Sequence, residues 1–359
     1  MRRLATPLGI AVGLLALGPG AASAAQPLTC GQTITHDTTL HADLGPCPGD
    51  GLVIGADNVT LDLNGHSVTG PGWDQYVGIK DDLGHHGTVI ENGEVHGFER
   101  QIVLDDTDYS RVSGITQCCG SDDGGIEVYG SHNLIAHNDV ELTFDVIVSG
   151  SKNRVRHNHV LSGNGGLIVS GRGNLVAANS ERYGEGGVQV SGAGSVIREN
   201  ILRGGYDASL QVRDCRNVRV EGNFLRNAMR LTGCRHAAVV DNILRRSPNE
   251  GIVIDGGSDS TLARNTVSVT IGSGISVIGG SVETAVRGNL AIRAGRTPWG
   301  TDPSSDGIHV DDPGTLIANN RANDNADYGI QAVPGAIDGG GNTASGNGNP
   351  SQCLNVVCS

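Results

Sequence analysis

GGIEVYGSHNLIAHN at residues 124–138, DVIVSGSKNRVRHN at 145–158, GLIVSGRGNLVAAN at 166–179 and GVQVSGAGSVIREN at 187–200 are one pattern written four times. An apolar-x-apolar strand leads into a Gly/Ser/Asn corner, then a second short strand, then an asparagine. The pattern returns as GIVIDGGSDSTLARN at 251–265 and GIHVDDPGTLIANN at 307–320. Followed outward, the closing residue is Asn64, Asn92, Asn138, Asn158, Asn179, Asn200, Asn223, Asn242, Asn265, Asn289, Asn320 and Asn342. A period of roughly 20 to 25 residues is that of a solenoid.

Such strands are too short and too glycine-interrupted to bury a face alone, so they need copies above and below. Parallel stacking about 4.8 Å apart lines up the apolar residues of successive rungs. Ile126, Val146, Leu167, Val188, Leu210, Met229, Ile252, Ile275, Ile308 and Ile330 form one inward column on this reading. Asn suits the inward corner because it tolerates left-handed backbone angles and its amide can bond the Asn one rung away. The 56 glycines and 3% aromatic residues fit a narrow coil better than a large two-layer core.

The N-terminus reads differently. Arg2 and Arg3 precede an apolar run, and Ala22-Ser23-Ala24 supplies a small-residue cleavage site, so residues 1–24 are expected to be a secretory signal peptide. An N-terminal cap over 25–50, a parallel coil over 51–345 and a C-terminal cap or tail over 346–359 follow. No further stretch is long and apolar enough to span a bilayer. A formal charge of -13 makes nucleic acid or anionic lipid an unfavourable partner.

Eight cysteines in an exported chain favour disulfides. Cys215 and Cys234 hold the same place in adjacent rungs, at the separation a disulfide needs. Cys30 with Cys47, and Cys353 with Cys358, are candidates to close the two ends. Cys118 and Cys119 remain, as a vicinal disulfide or as free thiols.

The opening CGQTITHDTTLHADLGPCPGDGLVIGADNVTLDLNGHSVTG at 30–70, followed by GIxV…NxIxxN rungs, resembles secreted parallel β-helix repeat proteins of the NosD-like and pectate-lyase-like superfamily. The resemblance covers about residues 28 to 345 and implies an all-β, single-stranded right-handed parallel β-helix of about 12 rungs. It implies no one activity, since such folds carry polysaccharide lyases, glycoside hydrolases, epimerases, tailspikes and catalytically silent proteins. In similar enzymes the saccharide lies along one exposed strand face.

Here the GIxV strand alternates in and out, which defines two outward columns. One is Lys80, Val103, Glu127, Ile147, Ile168, Gln189, Gln211, Arg230, Val253, Ser276, His309 and Gln331. The other holds Asp82, Asp105, Tyr129, Ser149, Ser170, Ser191, Arg213, Thr232, Asp255, Ile278, Asp311 and Val333. Acid and base groups gather at the two ends.

At the first end, Lys80, Asp105, Glu127 and Arg100 are the candidate catalytic residues. A pair such as Asp105 and Glu127 falls at roughly 5–9 Å, the range in which two carboxylates share glycosidic-bond chemistry. A Lys or Arg could instead take the proton beside a uronate carboxylate, with Ca²⁺ held by Asp82, Asp122, Asp123 and Asp145. Both chemistries stay open. SDDGGIEV at 121–128 resembles the paired aspartates of polygalacturonase-type hydrolases, but the Gly-His-Gly of a following rung is replaced by DVIVSG. At the second end, His309 and Asp311 lie beside the insertion RAGRTPWGTDPSS at 293–305, whose Trp299 and Arg296 are placed to stack on and clamp a sugar. Trp73 and Tyr129 are the matching candidates near the first cluster.

Bland readings compete. An acidic or Asn residue precedes many strands, as at Asp145, Asn227, Asp306 and Asp327, which is turn chemistry. His132, His137, His157 and His159 read as solvated surface rather than metal ligands. The expected function is a secreted, carbohydrate-active protein of lyase or hydrolase type acting on an extracellular polysaccharide. The alternative is a non-catalytic carbohydrate-binding or cell-envelope protein. No cofactor beyond calcium is expected, and the oligomeric state is open.

Overall fold

The computed structural model describes residues 27–72, 75–117, 124–141, 145–161, 165–297 and 300–359. The expected signal segment, Trp73, Cys118, Cys119, Asp122, Asp123 and Trp299 lie outside the described residues.

Among the described residues every regular element is a strand, and all but one short hairpin stack in parallel. The chain winds as a right-handed coil of about 13 turns, close to the number of asparagines in the repeat. Each turn contributes a strand to each of three strips. The first strip holds 15 strands, from Gln32–Ile34 to Cys353–Leu354. In the middle of the chain the second strip is built from strands such as Leu134–Ala136 and Arg154–Arg156, and the third from Asp139–Glu141, His159–Leu161 and Ser180–Arg182. Because Gln32–Ile34 pairs with Leu52–Ile54, and Ile330–Ala332 with Cys353–Leu354, the coil runs past both of the boundaries expected for it.

The ten-residue inward column stacks in register from Ile126 to Ile330, and every member is buried. Each such side chain contributes about 1.5–3 kcal/mol of burial relative to exposure, which offsets the ordering of so many short strands.

The corner opposite is held by amides. Asn138 donates both its backbone N–H and its Nδ2 to Asn158 Oδ1 (3.1 and 3.0 Å), and its Nδ2 also bonds the Val112 carbonyl (3.1 Å). The arrangement repeats through Asn179, Asn200, Asn223, Asn242, Asn265, Asn289 and Asn320 to Asn342.

Two details correct the expectation. The left-handed residue is the one before each ladder Asn, for example His137, His157, Ala178 and Glu199, so the ladder selects Asn for its amide and not for its backbone. Asn64 and Asn92 stand outside the ladder: they take the left-handed angles themselves (φ 51° and 60°), and the ladder position is held by Gly93 in the turn of Asn92 and by Ile115 in the turn after it. Shorter amide ladders, unforeseen in the sequence, join Asn133, Asn153 and Asn174, and Asn325 with Asn347.

Disulfides link Cys30–Cys47, Cys215–Cys234 and Cys353–Cys358, with Cα atoms 5.5, 4.4 and 6.2 Å apart. The middle one clamps two adjacent turns, and the others close the ends.

Candidate functional site

Strand pairing puts the outward residues of the first strip into the columns read from the sequence: Lys80 beside Val103, Val103 beside Glu127, Glu127 beside Ile147, and so on to His309 and Gln331. Not every outward position is open. Val103, Glu127, Val253 and Ser276 are buried.

Glu127 is the informative member. It points out from strand Ile126–Tyr129, yet is only 6% exposed. Its Oε2 accepts a hydrogen bond from the Tyr129 hydroxyl (2.9 Å) and lies 3.5 Å from Arg100 Nη1. Gly124 packs over Oε1 so closely that any side chain there would collide with the carboxylate. Burial, then the bond to Glu127, raises the Tyr129 pKa, so the phenol stays protonated and remains a donor. One turn on, Asp145 is half-buried. Burial pushes its carboxyl pKa up and the Glu127 charge adds to that, while the Gly166 N–H (2.5 Å) opposes it. Asp105 is exposed in the preceding turn, close enough for its charge to raise the Tyr129 pKa slightly.

Lys80 is drawn elsewhere. Its Nζ lies 2.8 Å from Asp50 and 3.3 Å from Asp82, and these carboxylates, Asp50 foremost, raise its pKa. Asp50, which also accepts the Val77 N–H, was not singled out in the sequence. It precedes the strand Leu52–Ile54, as other turn acids precede theirs, and that position was the available signal.

The second cluster has the same plan. His309 Nδ1 bonds Asp306 (2.8 Å) and its Nε2 bonds Asp311 (3.0 Å), so both nitrogens are donors. The bond to the buried Asp306, reinforced by Asp311, holds the imidazolium to a pKa of about 9. Asp306 Oδ1 also accepts the Tyr328 N–H, which is the turn role expected of such acids. Arg296 is exposed on a two-stranded hairpin, Arg296–Thr297 with Gly300–Thr301. Between the clusters, Arg230 reaches Glu250 (3.6 Å) and Asp255 (3.7 Å).

Among the described residues no group of three His, Cys, Asp or Glu side chains converges on a point where a metal could sit. Asp82 is engaged by Lys80 and Asp145 by Gly166; Asp122 and Asp123 lie outside the described residues. The histidines read as surface each have a partner: His132 stacks on Tyr109 (4.7 Å), His137 stacks on His157 (4.9 Å), and His159 bonds Asp139 (2.9 Å). Also among the described residues, no helix is long and apolar enough to cross a membrane.

An all-β parallel solenoid with charged clusters on its first strip is the class these features define. Within that class, the family described as "Right handed beta helix region" matches residues 144–291 and 186–347, more than half of the chain, and the protein belongs to it. No curated protein matches the chain. Solved structures similar to it include the Dettilon tailspike protein (14% identity, TM-score 0.42, 91% of this chain and 60% of that one). Another is DFA-IIIase from Arthrobacter chlorophenolicus A6 (12%, TM-score 0.49, 72% and 71%). A third is the catalytic unit of a GH87 alpha-1,3-glucanase from Streptomyces thermodiastaticus (15%, TM-score 0.46, 90% and 70%). The chain spans about three fifths of the tailspike's length.

Proposed function

We propose that this is a secreted protein that hydrolyses an extracellular polysaccharide laid along the outward face of the first strip, with Glu127 and Asp145 as the reacting pair. The observation that carries the reading is a carboxylate in an outward column that is nonetheless buried, bonded to Tyr129 and paired with Arg100, with a second carboxyl of raised pKa one turn away. Two carboxyls whose surroundings differ are what acid–base cleavage of a glycosidic bond requires. Asp145 supplies the proton to the leaving oxygen as the C–O bond breaks. Glu127, oriented by Arg100 and Tyr129, either attacks the anomeric carbon from the opposite face, forming a glycosyl ester that water then hydrolyses, or takes the proton of a water that attacks that carbon directly.

Elimination is the weaker chemistry. It needs a neutral base beside the uronate α-carbon, whereas Lys80 is held charged by two carboxylates and Arg100 is paired with Glu127. Secretion is supported by the N-terminal apolar run with its Ala-Ser-Ala and by three disulfides. A non-catalytic binding role is favoured by one observation: the cations at both ends of the strip are already closed between carboxylates.

The test incubates the protein and its Glu127→Gln variant with acidic and neutral polysaccharides, with and without Ca²⁺, while reducing ends and unsaturated products are followed. New reducing ends without unsaturation, lost by at least about 10³-fold in the variant, are expected. Unsaturated products would replace hydrolysis by elimination. Silence across the panel would leave the binding role.

A further inference from the structure

The third strip carries a feature of a different kind. Arg182 ends the strand Ser180–Arg182, and the arginines following Ile201–Leu202 and Phe224–Leu225 are Arg203 and Arg226. Arg245 lies within Ile243–Ser247. The strand register (Glu181 beside Leu202, Leu202 beside Leu225, Leu225 beside Leu244) places the four in one outward column on consecutive turns, about 4.8 Å apart. The backbone bonds from Arg203 N to the Glu181 carbonyl and from Arg226 N to the Leu202 carbonyl fix that stacking.

All four side chains are exposed, and among the described residues the ion pairs within 4.0 Å involve other arginines and not these four. By comparison, Arg100, Arg111, Arg198, Arg219, Arg230 and Arg264 each have an acidic partner; what distinguishes the four is that they follow one another in one column. Arg182 instead stands over the ring of the exposed Tyr183 (5.2 Å). Beside the cationic column runs an apolar one on three of the same turns: Ile201, Phe224 and Ile243, paired in register and partly exposed. The cationic column ends in a depression of ≈ 320 Å³ lined by Arg245, Arg246, Arg293, Leu290 and Ile292, among others.

Four like charges on consecutive turns repel one another, in a chain that has 38 acidic residues to place among its 25 Lys and Arg. We propose that this face is a docking surface for a linear acidic polysaccharide, which lies along the coil axis with its carboxylates on Arg182, Arg203, Arg226 and Arg245 and its ring faces on Ile201, Phe224 and Ile243. The match is one of period and chemistry. A uronate polymer carries one carboxylate per ring at a repeat similar to the strand spacing, and guanidinium groups bind carboxylates in bidentate fashion. Sugar rings also present an apolar face, which suits the neighbouring column. A lipid surface is a poorer fit, because the basic residues form a single file rather than a broad patch.

The surface is distinct from the Glu127 cluster, and its test needs no turnover. Calorimetric titration of the whole protein with an oligogalacturonate is compared with a neutral dextran oligomer, duplex DNA and phosphatidylglycerol vesicles. The uronate is expected to bind in a salt-dependent manner and the dextran weakly. Affinity should fall at least about tenfold in Arg203→Gln/Arg226→Gln and stay unchanged in Arg154→Gln/Arg172→Gln. Equal affinity in the first double variant, no uronate binding, or tighter binding to DNA or vesicles would each overturn the proposal. All four substituted arginine positions are solvent-facing, and unchanged thermal midpoints would confirm that the variants are folded.

Discussion

The first and third strips are built from the same turns, yet the clusters on the first and the arginine column on the third treat charge in opposite ways; a histidine–acid pair on the third strip, His159–Asp139, lies a turn before that column. On the first, Lys80 sits between Asp50 and Asp82, His309 between Asp306 and Asp311, and Arg100 against Glu127. On the third, Arg182, Arg203, Arg226 and Arg245 follow one another, and the ion pairs among the described residues involve other arginines. A coil makes both outcomes easy, because one substitution per repeat writes a whole column. Paired charges on the first strip fix side chains in place around a small number of reactive groups. Unpaired charges on the third strip leave their binding capacity for a partner.

The largest expected effect breaks what the two strips share. Asn200→Leu removes the Oδ1 that accepts two bonds from Asn179, and the Nδ2 that bonds the Val176 carbonyl and Asn223. With several buried polar groups left unpartnered, a loss of about 3–5 kcal/mol is expected in urea unfolding. A loss under about 1 kcal/mol would mean that the stacked apolar column alone sets stability.

An intermediate effect belongs to the paired strip. His309 has its pKa raised from 6.5 to about 9, so its contribution is complete below pH 6.5 and is lost as pH rises through about 9. The size is bounded at about 3.5 kcal/mol, since one pKa unit corresponds to about 1.36 kcal/mol. Urea midpoints should fall across that window in the wild type, and the slope should flatten in His309→Gln. An unchanged slope would mean that the Asp306–His309–Asp311 bridge is not held in solution.

The smallest effect is on the unpaired strip. Arg226→Gln should alter stability by no more than about 0.5 kcal/mol, with relief of like-charge repulsion favouring the variant. A marked loss in thermal midpoint would show that Arg226 has a structural partner, and would dissolve the contrast between the strips.

Much of this was legible in the sequence because a solenoid repeats its inward pattern. The column from Ile126 to Ile330 and the outward order from Lys80 to Gln331 follow from a period of two along each strand and a period of one turn between strands. The three disulfides were readable from equivalent places in adjacent turns or at the ends. Asn92 was misplaced by one position because it takes the left-handed corner that Gly114 and His137 hold in later turns. The burial of Glu127 was not legible, since an outward position says nothing of what Gly124, Arg100 and Tyr129 place over it. The arginine column, by contrast, was visible in principle: 182, 203, 226 and 245 are spaced like the ladder asparagines 179, 200, 223 and 242. The resemblance placed a saccharide on the GIxV strand, and the third-strip strands carry no motif of that resemblance.

The most direct test of this division is a crystal structure of the Glu127→Gln variant grown with an acidic oligosaccharide. The account predicts sugar on two faces: one chain crossing the first strip beside residues 127 and 145, and one along the third strip with carboxylates on Arg203, Arg226 and Arg245. A bare third strip, with sugar carboxylates seated instead against Lys80 or His309, would contradict it.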